Sequence, residues 1–523
     1  MTELLQAKLD TLSNIANKNL IGIEKECLRV LPNGQLANSD HPKELGSTLT
    51  NPSITTDYAE SQLEIITKPD SNSLTLINEL TELHSFIYGH ISNKNLLWPA
   101  SIPGNLPNAK DILIAKYGTS AKALYKELYR LGLGYRYGKT MQLICGIHYN
   151  FSFGHNFYEL FFTKIHNLPD WNQNNINSLY MSIIRNYQRI SWLITYLFGA
   201  SPAYNAKFIE PSIATANYLK PYKKTSYLAP YGTSIRESSL GYTNKNNVDL
   251  SIDYNSLNSY VDGLKKALST PDPNFLSLGQ YRYNKQIQIN CNTLQIENEY
   301  YTVARPKPKV HPDLRPYKAL EQHGIDYIEI RNIDLNPFSP TGIDKQQCDL
   351  LELIIYYCCF TDSPSFTDHE RAIIKSNKNK TALLGRQPDL QLTLPKYEQS
   401  ISLKNWANKI FADLTKIANL FDKNNNTTDY ISSINHYSKA IENPGLTNSG
   451  KVYNDLINLD LDYTEYFLNQ AIGFKKYYNN VQLSAEKLAY YNNLAAESIK
   501  QRVDLESYDQ KHGVTLDHLL ADV

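Results

Sequence analysis

Residues 21–30, IGIEKECLRV, decide how this chain is read. As a strand, the stretch places Glu24 and Glu26 on one face, because side chains alternate across a strand with a period of two. Two carboxylates then stand roughly 7 Å apart. In a partly buried sheet neither stays ionised without a cation between or in front of them, so the pattern favours a metal. The alternative is a solvated edge strand whose glutamates pair with Lys25 or Arg29. Three later strand-like stretches carry polar residues at the same period of two, and they tip the reading toward a site.

The chain has 523 residues, enough for one large domain or several. Its 52 Lys and Arg balance 52 Asp and Glu, so no overall field points to nucleic acid or an anionic membrane, and an anionic ligand must be held locally. Six cysteines, at 27, 145, 291, 348, 358 and 359, form no CxxC pair, which argues against zinc ligation and a redox dithiol and for reduced core residues. The first twenty residues carry acidic side chains and lack an apolar run of signal-peptide length, so a cytoplasmic protein is expected. The most apolar run, 190–198, is too short for a bilayer and follows Arg185 and Arg189; it reads as the buried end of a helix.

In chain order, residues 4–20 read as a helix and lead into the Glu24/Glu26 strand. In TTDYAESQLEIIT, Asp57 and Glu60 come early, and Glu64 faces away from Leu63 and Ile65. Leu76, Leu80, Leu83, Ile87 and Ile91 follow helical spacing. Residues 110–138 read as a helix that breaks at its glycines. TMQLICGIHYNFSF reads as one strand, with Gln142, His148, Asn150 and Ser152 on one face and apolar residues on the other. His148 alone fits a hydrogen-bonded structural role, while Asn150 beside it makes ligation plausible. A helix over 178–203 is followed by about forty loop-like residues ending in GTSIRESSLGYTNK, where Arg236 and Tyr242 stand out. QIQINCNTLQIENEYY opens as an alternating strand with Gln286, Gln288, Asn290 and Asn292 on one side. Next, GIDYIEIRNIDLNPFSP puts Glu329 and Arg331 on one strand face, as ligand and cation or as a buried salt bridge. Residues 344–360 form an apolar helix. Leu403, Trp406, Ile410, Leu414, Ile417 and Phe421 mark a helical C-terminal part. The domains are therefore read as a catalytic α+β part over 1–360, a connection over 361–396 and helices over 397–523 packed on the catalytic part.

Collected, the polar strand faces offer Glu24, Glu26, Glu64, His148 and Glu329, with Asp57 nearby and Arg236 and Arg331 at the border. Oxygen-rich ligation with one imidazole suits Mg²⁺ or Mn²⁺ better than Zn²⁺ or copper. Acid-bound magnesium bordered by arginines is an arrangement for passing a phosphoryl group from a nucleotide to an anionic acceptor. No GxxxxGK[ST], GxGxxG or HExxH pattern occurs, so such a site must come from a sheet face.

At these residues the chain resembles the proteobacterial type of glutamate-cysteine ligase, also called gamma-glutamylcysteine synthetase. The motifs that carry the resemblance are GIEKECLRV, HPKELGSTLT, ITTDYAESQLE, YGTS at 117–120, GIHYNFS, RNYQRISWLITYLFGASPA, SLGYTNK, LQIENEYY and IEIRNIDLNPFSPTGID, in family order over residues 20 to about 350. The resemblance implies a fold of the glutamine synthetase-like superfamily, with an antiparallel sheet forming the cleft for ATP and several Mg²⁺. It implies ATP-dependent ligation of L-glutamate to L-cysteine; a monomer without nucleic-acid or membrane partners is expected. Glu24, Glu26, Asp57, Glu64, His148 and Glu329 are the implied metal ligands. Arg331 and Arg130 would act on the transferring phosphoryl group, and Arg236 and Tyr242 would hold amino-acid substrate groups. Tyr58, Tyr129, Leu133, Gln142 and Tyr301 would surround the cysteine; Tyr58 stands where the family pattern has Phe. A related ligase with another amine acceptor is the nearest rival, and a nucleotide-binding protein without turnover is the rival of another class.

Overall fold

Strand β1 (Leu20–Val30) crosses the middle of a seven-stranded sheet. In this computed structural model, which describes residues 19–209, 216–241, 250, 252–311 and 314–521, the sheet is completed by six further strands. These are β2 (Ile54–Thr56), β3 (Gln62–Ile66), β4 (Leu96–Leu97), β5 (Ile147–Ser152), β6 (Ala304–Lys307) and β7 (Tyr327–Ile333). The order is β6-β7-β5-β1-β3-β2, with β4 paired to the end of β1, and every pairing is antiparallel.

One sheet face is apolar and fully covered. Ile21, Ile23 and Cys27 of β1, Leu63 and Ile65 of β3, Ile147, Tyr149 and Phe151 of β5, and Ile328 and Ile330 of β7 are all buried. Four helices frame the sheet: α1 (Ser73–His90), α2 (Ala121–Tyr137), α3 (Gln173–Phe198) and α4 (Lys345–Phe360). Leu76, Leu80 and Leu83 of α1, Ile183 and Ile194 of α3, and Leu350 and Ile354 of α4 join the sheet residues in one core. Each such side chain contributes about 1.5–3 kcal/mol by leaving water. The same core continues into α5 (Asp368–Leu384) and α6 (Leu403–Asn425), where Trp406, Ile410, Leu414, Ile417 and Phe421 are buried as their spacing indicates. All six cysteines are free thiols, and all but Cys291 are buried.

Lys25 and Arg29 point to the core side and pair with neither glutamate. Lys25 Nζ lies 2.7 Å from His84 Nε2, and Arg29 donates to Ser39 Oγ at 2.7 Å and to the Glu60 carbonyl at 2.9 Å. The solvated-edge alternative for residues 21–30 is thereby excluded. β1 is central and its glutamates face inward to a cleft.

Several expectations are corrected. The helix read over 4–20 falls outside the described residues except at its end, where Leu20 opens β1. The strand expected from Met141 begins at Ile147, and Met141–Leu143 is a 3₁₀ turn. α2 does not break at Gly132 or Gly134. Those glycines sit inside the helix because a Cβ at Gly132 would collide with Gln295, and one at Gly134 would meet the Tyr58 hydroxyl. α3 starts earlier than expected, capped by Asn172, and ends at Phe198. The loop after it contains a small sheet of Ala203–Asn205, Lys220–Tyr222 and Ser226–Leu228. Of the strand expected near residue 286, Lys285–Gln286 forms a two-residue strand and Asn292 an isolated bridge to Pro271, with no continuous ladder between them. Beyond it the side chains of Gln288, Asn290 and Gln295 bind backbone groups, and such local bonds compete with a ladder. The stretch 361–396 contains α5 and a short strand, Gln391–Thr393.

Candidate active site

Pairing register brings the acidic residues together. Glu24 stands opposite His148, Glu26 opposite Glu64, and Glu329 opposite Asn150, all on the face away from the core. His148 Nδ1 is 3.0 Å from Glu24 Oε2 and 3.8 Å from Glu329 Oε1, and Nε2 is 3.7 Å from Glu26 Oε1. Asn150 donates to Glu24 Oε1 at 2.8 Å, and the Gly146 N–H donates to Glu26 Oε2 at 2.9 Å. One donor atom each from Glu24, His148 and Glu329 lie within 4.8 Å of one another, close enough to share a cation.

The electrostatics divide the carboxylates. Burial pushes Glu24 up, but the His148 hydrogen bond and neighbouring cations outweigh it and hold Glu24 below the usual range. Burial opposes ionisation of Glu329 too, yet Arg331 at 3.0 Å and Lys307 at 3.4 Å hold it well below. Burial raises Glu26, and it raises Glu64 strongly, with Glu24, Asp57 and Glu26 adding like-charge repulsion. Burial and like charge thus favour the protonated form of Glu64, and positive charge placed beside it would favour the ionised one. Oxygen donors, one imidazole and unrelieved repulsion fit one or more hard divalent cations.

Across the cleft, α2 presents Lys126, Tyr129, Arg130 and Leu133, a stripe at helical spacing. Ser120 caps its start by accepting from the Ala123 N–H, and Asp509 in the helix Ala485–His512 accepts from the Ala121 N–H at 2.7 Å. Arg130 lies over the Tyr117 ring, donates from Nε to the Asp57 carbonyl, and keeps Nη2 3.9 Å from the Asp57 carboxylate. Asp57 follows β2 directly, in the turn toward β3. Arg236 donates from Nη2 to the Arg331 carbonyl at 2.8 Å, which ties its loop to β7.

The cleft measures about 350 Å³. Glu24, Glu26, Asp57, Tyr58, Glu64, Tyr129, Arg130, Leu133, Gln142, His148, Arg236, Tyr301, Glu329 and Arg331 all line it. Tyr242 lies outside the described residues. Glu60 is structural, accepting from the His41 and Lys116 backbone N–H groups at 2.8 and 2.9 Å. Sequence reasoning missed Lys126, Arg305 and Lys307, which also line the cleft. Lys126 shares the helical stripe with Arg130 and could have been found from it. Arg305 and Lys307 alternate on β6, but the prolines of ARPKP disguise that strand. Among the described residues no helix is long and apolar enough to cross a membrane.

The family model for glutamate-cysteine ligase matches residues 4–381. A glutamate-cysteine ligase of Pseudomonas fluorescens is 38% identical over 511 residues, covering 97% of this chain and 95% of that protein. One from Aliivibrio salmonicida is 42% identical over 431 residues, 82% of each chain. The crystal structure of a Francisella tularensis glutamate-cysteine ligase in complex with AMP superposes with a TM-score of 0.89 at 31% identity, covering 97% of both chains. A bifunctional glutathione synthetase from Pasteurella multocida shares the fold, with a TM-score of 0.67 at 20% identity over 92% of this chain and 54% of its own. The chain belongs to the glutamate-cysteine ligase family.

Proposed function

We infer that this protein joins the γ-carboxylate of L-glutamate to the amine of L-cysteine, forming γ-glutamylcysteine while ATP becomes ADP and phosphate. This is the first step of glutathione synthesis. The observation that carries the reading is the meeting of two charge sets in one cleft: Glu24, His148 and Glu329 on the sheet, with Arg130, Arg236 and Arg331 beside them. AMP bound to the Francisella relative supports a nucleotide here. An antiparallel sheet walling the cleft supports placement in the glutamine synthetase-like superfamily.

A γ-carboxylate is a poor electrophile. Its oxygen attacks the γ-phosphoryl group of ATP, ADP leaves, and the resulting acyl phosphate is attacked by the cysteine amine with loss of phosphate. Arg331 and Arg130 offset charge on the phosphoryl oxygens during transfer, a role that fixed guanidinium groups perform without reorganisation. Arg236, with Tyr242, receives amino-acid substrate groups. Tyr58, Tyr129, Leu133, Gln142 and Tyr301 surround the cysteine. Glu24, Glu26, Asp57, Glu64, His148 and Glu329 would hold Mg²⁺ or Mn²⁺, which when bound supplies the positive charge that a nucleotide polyphosphate demands.

A coupled ADP assay tests the reading and its rival together. ADP release should require L-glutamate and be fastest with L-cysteine among candidate amines. Faster release with another amine would reassign the acceptor, and release indifferent to any amine would sink the ligase reading.

A further inference from the structure

Glu237 is buried behind the cleft wall and does not line the cleft, yet it touches two residues that do. Its Oε1 accepts from Arg236 Nη1 at 2.7 Å and from the Tyr301 hydroxyl. Its Oε2 lies 3.3 Å from Lys378 Nζ, which comes from α5 and also sits 5.8 Å from the centre of the Tyr301 ring. One carboxylate thus joins a loop, the segment before β6 and a helix far along the chain.

Another acid faces Arg236, and geometry separates the two. Asp334 Oδ1 is 3.6 Å from Arg236 Nη1, but the oxygens of Asp334 are occupied by the Ala200 N–H at 2.9 Å and by the Ser201 and Ser234 hydroxyls at 2.7 and 3.0 Å. Asp334 secures backbone turns. Glu237 is the close partner of the guanidinium, and burial of its charge is offset by Lys378, Arg236 and Tyr301, which keep it ionised. A buried carboxylate between two cations and a phenol fixes orientation, because removing it strands both cations.

We propose that Glu237, anchored by Lys378, is a positioning residue that holds Arg236 and Tyr301 as one unit for receiving the carboxylate of an amino-acid substrate. The inference rests on the assignment of Arg236 to amino-acid binding. It gives α5, in the stretch between the catalytic and C-terminal parts, a direct share in recognition.

Full-length wild type, Glu237→Gln, Lys378→Met and Lys378→Arg are compared with L-glutamate, L-cysteine and ATP varied in turn, alongside melting temperature. Glu237→Gln should raise KM for at least one amino acid tenfold or more and leave KM for ATP within twofold. Lys378→Met should shift the same KM in the same direction by a few-fold, and Lys378→Arg should recover most of it. Amino-acid KM values within twofold of wild type, or equal losses toward all three substrates, would overturn the proposal. Should Glu237→Gln fail to fold, the two variants at Lys378, whose side chain is partly exposed, decide the matter: Lys378→Met within twofold of wild type overturns it. Calorimetric binding of each amino acid gives the same comparison without turnover. A wild type that binds amino acids but makes no product would count against the ligase reading and leave the binding ratios to judge Glu237.

Discussion

Gly146 leaves the space that the Arg236 guanidinium fills: a Cβ at residue 146 would lie 2.8 Å from Arg236 Cζ and 3.1 Å from Nε. On its other side the Gly146 backbone is fixed to Glu26, donating to Oε2 at 2.9 Å and accepting from the Glu26 N–H at 3.0 Å. One residue without a side chain thus lets an acid strand and a cleft-lining arginine meet.

The substitution Gly146→Ala is expected to push the guanidinium rather than the backbone. Arg236 is buried and held by Glu237 and the Arg331 carbonyl, so it cannot swing freely aside. Misplacement by about 1 Å costs on the order of a hundredfold, and kcat/KM for an amino-acid substrate should fall by that order with the fold intact. Wild-type kcat/KM in Gly146→Ala would mean that Arg236 does not bind substrate in this position.

Glu329→Gln tests the acid cluster. The side chain keeps its volume but loses the charge that pairs Arg331 and Lys307 and that would hold a cation with Glu24 and His148. Several kcal/mol of transition-state stabilisation should be lost, lowering kcat by roughly two to four orders of magnitude. Near wild-type kcat across a full Mg²⁺ titration would remove Glu329 from the proposed metal ligands.

Much of this site was legible because strand alternation is strict. Period two placed Glu24, Glu26, Glu64, His148 and Glu329 each on the polar face of its own strand, and pairing register is what brings those faces together. What was not legible depends on long-range packing. Gly132 and Gly134 look like helix breakers until Gln295 and Tyr58 are seen against them. Glu237 looks like a loop residue until α5 delivers Lys378, 141 positions later, to its other oxygen. The small sheet at 203–228 is built of three-residue strands too short for any periodicity to register.

Stability should depend on pH through Glu352, away from the cleft. Burial pushes its carboxyl up to about 7, although Asn19 and Tyr430 donate to it at 2.6 and 2.8 Å; Asp349 adds to the rise and Lys345 opposes it. The folded state therefore holds this proton more tightly than the unfolded state. The resulting stability is fully present below about pH 4.5 and is lost as pH rises through about 7, on the order of 3 kcal/mol in all. Denaturant titrations of Glu352→Gln should match wild type more closely at pH 5 than at pH 8, where the variant should be the more stable. A wild-type advantage that grows toward pH 8 would show that the ionised carboxylate is the stabilising form.

The central claim is the acyl phosphate, and isotope transfer tests it most directly. If the γ-carboxylate attacks phosphorus, one of its oxygens must leave with phosphate when the amine of cysteine attacks carbon. Glutamate carrying oxygen-18 in that carboxylate, turned over with ATP and cysteine, should yield inorganic phosphate with one labelled atom per product formed. Arg331→Ala should slow this turnover without redirecting the label, and lysine at 331 should recover only part of the rate because it lacks the planar fork. Unlabelled phosphate with product still accumulating, or label appearing in AMP with pyrophosphate released, would contradict the account.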